Sequence, residues 1–182
     1  HAVGAAVLGS RAGAGRQEHD VNTLTDAFLT VLVNASAAGQ PLVAAQGSIF
    51  GEANDTVISE LSAFPIIILR PVPPQATDAC RGSEWVIYDA TIFVMLAHLI
   101  DRQDSTYESA REAVETLRAN LERVLIANRA RTDLAWSRMT FGTIEAGGFS
   151  PTDTPGPFDL QGLPVYRHVI GCDFHYARQR AA

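Results

Sequence analysis

Lysine is absent from this chain, and all 14 basic residues are arginine. That usage fits a GC-rich coding genome. It also suits contact surfaces, because a planar guanidinium makes paired hydrogen bonds and sheds water more easily than an ammonium. Cysteine is almost absent: Cys80 falls in a loop-like stretch and Cys172 in an apolar strand pattern. Two cysteines in 182 residues make no disulfide framework, so a reducing intracellular setting is expected. No hydrophobic run approaches the roughly 20 residues of a membrane helix. No basic segment precedes the apolar residues after His1, so no signal peptide is expected. Positive charge is in deficit as well. A formal net charge of -6 argues against a duplex-DNA binder, which carries a basic patch.

The sequence also lacks the motifs that announce chemistry. There is no P-loop, no GxGxxG after a strand, no G-x-S-x-G, no CxxC and no HExxH. Gly142, Gly147 and Gly148 have the glycine spacing of a phosphate cradle without its Lys-Ser/Thr. The best acid–base or metal candidate is Asp173-x-His175, since residues i and i+2 of a strand share a face. His98 or Asp101, at the end of another strand, could supply a third ligand. Metal sites need three or four ligands with supporting partners, so ordinary polar decoration of a sheet is the expected reading. His168 falls on the apolar side of its strand and is expected to be a hydrogen-bonded core histidine. Arg129, Arg131 and Arg138 form the densest basic cluster. They suit charge compensation at a helix C-terminus or a subunit contact better than nucleic acid, given the acidic residues interleaved with them. No catalysis, no metal and no cofactor are expected.

What is present is ordinary globular material, 47% hydrophobic and 19% charged, of a length suited to one domain. Residues 1–21 form an Ala/Gly-rich arm, and 22–182 a single domain. Leu24, Ala27, Phe28, Val31, Leu32 and Ala35 recur at helical spacing, predicting a helix over 22–37. A weakly patterned stretch follows, with a short strand expected at Gly47–Phe50 and a helical turn at Thr56–Leu61. Strands are predicted over 64–70, 85–99, 136–146 and 165–177. Between the second and third lies the clearest helix, 107–128. It is capped by Asp104 or Ser105, with Tyr107, Ala110, Val114, Leu117, Leu121, Val124 and Asn128 on one stripe. Two connections, 71–84 and 147–164, are rich in Pro and Gly and read as long loops suited to contact. The order implies an α+β fold, an antiparallel sheet with two main helices on one face.

These elements resemble the tail terminator and head-to-tail joining proteins of long-tailed bacteriophages. The likeness rests on the N-terminal helix, Phe64-Pro65-Ile66-Ile67-Ile68-Leu69, Tyr88-Asp89-Ala90-Thr91-Ile92-Phe93-Val94, the helix 107–128 and the last strand Tyr166–Tyr176. It covers residues 22–178 and no diagnostic motif carries it. It implies a virion protein of the tail or neck, assembled in the host cytoplasm, that forms a ring of six copies, ends the tail tube and joins it to the neck. The partners implied are further copies of the chain, the tail tube protein and neck or connector proteins. Genome DNA would pass through without sequence-specific binding, and no membrane is involved. Contact residues expected on this reading are Pro73, Pro74, Arg81, Arg129, Arg131, Phe149, Pro151, Pro155, Pro157 and Phe158. The alternatives are another neck or tail-completion protein, a small cellular α+β ligand-binding or enzyme domain, and a non-viral adaptor.

Overall fold

A computed structural model describes residues 23–35, 42, 49–52, 64–73, 75–78, 85–100, 106–133, 135–143, 155–160 and 162–179. Helix α1 spans 23–35. It is followed by β1 (Ile49–Glu52), β2 (Ile66–Pro71), β3 (Gln75–Asp78) and β4 (Trp85–Leu99). Helix α2 (Tyr107–Ala127), β5 (Arg138–Thr143), β6 (Gly156–Leu160) and β7 (Leu163–Gln179) complete the order. The seven strands form one sheet in the order β1-β2-β4-β7-β5, with β3 also on β4 and β6 also on β7. All pairings are antiparallel except β1 with β2, which is parallel. The fold is α+β, as the element order implies.

The sheet is organised around one ribbon. β4 and β7 pair without interruption from Trp85↔Gln179 to Leu99↔Val165. Each offers its outer edge to two short strands laid end to end. β2 and β3 share the edge of β4, while β5 and β6 share that of β7. The backbone bonds Val72 N–H to Thr91 O (2.8 Å) and Ile100 N–H to Pro164 O (2.8 Å) extend the pairing past the ends of β2 and β4.

Strand alternation decides which face is buried. Ala90, Ile92, Val94 and Leu96 of β4, with Tyr166, Ile170, Cys172, Phe174 and Tyr176 of β7, form one core with both helices. Leu24, Phe28, Val31 and Leu32 of α1 and Ala110, Val114, Leu117 and Leu121 of α2 close it. Three rings anchor this core edge to face. Phe28 and Trp136 lie 6.2 Å apart, while Phe28–Phe174 and Trp136–Phe174 are each 5.1 Å apart. A second apolar cluster sits on the opposite face, beneath one half of the ribbon only. It holds Ile66, Ile68, Met95, Ala97, Leu160, Val165 and Val169. Residues 94–97 are therefore buried on both faces, as the pattern of the second half of the strand predicts.

Several expectations change. Part of each Pro/Gly-rich connection is strand: Gln75–Asp78 within 71–84 and Gly156–Leu160 within 147–164. The long neighbours β4 and β7 supply edges that these short segments complete. The short strand expected at Gly47–Phe50 lies at Ile49–Glu52. The strand expected from Trp136 begins at Arg138, because Trp136 is held in an isolated bridge to Arg131. The cap of α2 is Thr106, whose Oγ1 accepts from Ser109 N–H at 3.3 Å, one residue beyond the caps expected. The arm 1–21, the turn at 56–61 and the loop tip 144–154 lie outside the described residues.

Candidate functional site

The half of the sheet's outer face that bears no apolar cluster carries two polar rows beside Trp85, Ile87 and Ala177. Asp89 of β4 pairs in register with His175 of β7, which pairs in turn with Arg138 of β5. One step along, Thr91, Asp173 and Thr140 form a second row. His175 Nδ1 lies 2.6 Å from Asp89 Oδ1, and Thr91 Oγ1 donates to Asp173 Oδ1 at 2.7 Å. The Asp89 and His175 side chains are 51% and 35% exposed, so this contact stands in water. An exposed pair of this kind adds little stability.

Asp173 and His175 thus share a face, but each has a partner on β4. His98 lies at the far end of β4, opposite Tyr166 and on the other face, with Nδ1 2.9 Å from the carbonyl of Leu99. It cannot join them. Asp101 lies outside the described residues. Among the described residues, no group of three or more His, Cys, Asp or Glu side chains is placed to hold a metal ion. The partner of His175 that sequence reasoning missed is Asp89. Its only signal was a shared strand parity, because the register joining the two strands is not written in either of them.

His168 is buried, with Nδ1 3.1 Å from Glu115 Oε1 of α2, the hydrogen-bonded core histidine that its pattern predicts. Burial pushes the Glu115 carboxyl up, but hydrogen bonds from Arg118 and His168 outweigh it and hold the group below the usual range. Arg118 also reaches Glu122, so the network continues along the helix. Cys172 is fully buried, and desolvation raises its thiol pKa.

The arginine cluster after α2 is dispersed. Arg131 makes two hydrogen bonds to Asp133, at 2.9 and 2.8 Å, and one to Asn128 Oδ1 at 2.7 Å. It closes the turn into β5. Arg129 is exposed, its guanidinium 5.8 Å from the Phe141 ring centre. Arg138 points from the opposite face of the sheet. Of the other expected contact residues, Pro73, Pro155 and Pro157 are exposed. Phe158 is half-buried against the second apolar cluster, and Arg167 stacks over its ring at 3.7 Å. Pro74, Arg81, Phe149 and Pro151 lie outside the described residues.

An open cleft of about 360 Å³ lies where the start of α1 meets the end of β7. Thr23, Leu24, Thr132, Trp136, Tyr176 and Arg178 are among its walls. No protein-family model matches this chain, and no curated protein matches it in sequence.

Proposed function

We propose that the protein is a structural subunit of a long-tailed bacteriophage or phage-derived particle. It forms a ring of six copies at the head-proximal end of the tail, ends the tube there and joins it to the neck. The observation that carries this reading is the order and packing of the elements. Apart from the short strands β1, β3 and β6, the elements run helix, strand, long strand, helix, strand and long strand, with both helices on one face. This is the arrangement that the resemblance implies. The physical chemistry of the surface is compatible with it. Ring closure needs unlike patches that meet head to tail, and the chain presents an exposed polar sheet face and the exposed prolines 73, 155 and 157 at separate places. Its partners are further copies of itself, the tail tube protein and the neck. DNA passes through without base recognition, in keeping with the net charge of -6.

Electron microscopy of the purified chain, alone and mixed with tail tubes, tests the proposal. Six-fold rings, free or seated on one end of a tube, are expected. A chain that stays monomeric and leaves tube ends bare removes the reading. Deleting residues 149–154 tests the loop. A longer deletion reaching 161 would also remove β6 and, with Leu160, part of the second apolar cluster.

A further inference from the structure

We draw no further inference here: the strongest candidate, the open groove of about 290 Å³ between α1 and the C-terminal end of α2, lined in part by Val31, Asn34, Val124 and Arg131, has its arginine already bonded to Asp133 and Asn128, and nothing in the structure shows what covers it.

Discussion

Trp136 joins the helix–strand turn to both helices and to the sheet. It is 1% exposed, bonds the end of α2 through Asn128 O at 3.0 Å, and packs edge-on against α1 and β7. Trp136→Ala should cost about 3–5 kcal/mol in urea unfolding, and Trp136→Phe clearly less. A loss under about 1 kcal/mol would place the ring outside the core. Two other residues predict behaviour in alkali. Folding raises the pKa of Cys172 above its ordinary 9.0 and that of Tyr176 above 10.0, in both cases through burial first. The unfolded chain therefore releases these protons before the native state does. Stability is full below pH 9 and falls above it, by about 1.4 kcal/mol per pH unit for each group engaged. Denaturant midpoints measured from pH 8 to 11 check this, and Cys172→Ala should move the onset towards that of the tyrosine. At this scale the sequence was legible where alternation alone decided, as for His168 and Cys172. It was silent on Asp89 with His175 and on the Tyr176 hydroxyl, which depend on what a distant segment places beside them.

Helix α2 was the most legible element because its periodicity is local. Ala110, Val114, Leu117, Leu121, Val124 and Leu125 face the core, so Leu117→Ala or Leu121→Ala should cost about 2–5 kcal/mol. Wild-type stability in either variant would contradict the packing. The cap was harder to read, since Asp104, Ser105 and Thr106 are three adjacent residues of capping type. Removing the Thr106 hydroxyl by Thr106→Ala should cost about 1 kcal/mol, with the loss confined to exchange protection in the first turn of α2. Strands β3 and β6 were hidden for a different reason. Each is only four or five residues long and is flanked by Pro or Gly. Their own composition therefore signals turns, and only the open edges of β4 and β7 make strands of them. Arg131 also has a place that its basic run did not show: it closes a turn through Asp133 and Asn128, visible only in three dimensions.

At the scale of the whole molecule, the α+β class followed from element order alone, and the placement of both helices on one face followed from their stripes. The outer face followed in part. Half of it is apolar and half polar, which a single strand's pattern shows only as a change of composition partway along β4. The polar half tolerates change, since its groups are exposed. Replacing both Asp173 and His175 with Ala should shift melting only slightly and leave assembly intact. Collapse of the melting temperature in that variant would mean that the two rows hold the sheet together.

The same asymmetry bears on how two strands so far apart in sequence find their alignment. Where both faces are mostly apolar, sliding β4 past β7 by one residue still buries apolar side chains, so that end accepts errors. At the other end the same slip would turn Asp89 and Thr91 towards the helices and expose Val86 and Ala90. The cross-strand pairs there join residues 86 and 82 positions apart. They act as a proofreading end, rejecting alignments that the apolar end would accept. Valine at 89, 91, 173 and 175 together would make the two ends alike. That variant should unfold at a similar denaturant concentration, yet refold into a mixture of alignments, with lower recovery and heterogeneous hydrogen exchange. Full, homogeneous recovery would show that the polar rows have no part in selecting the register.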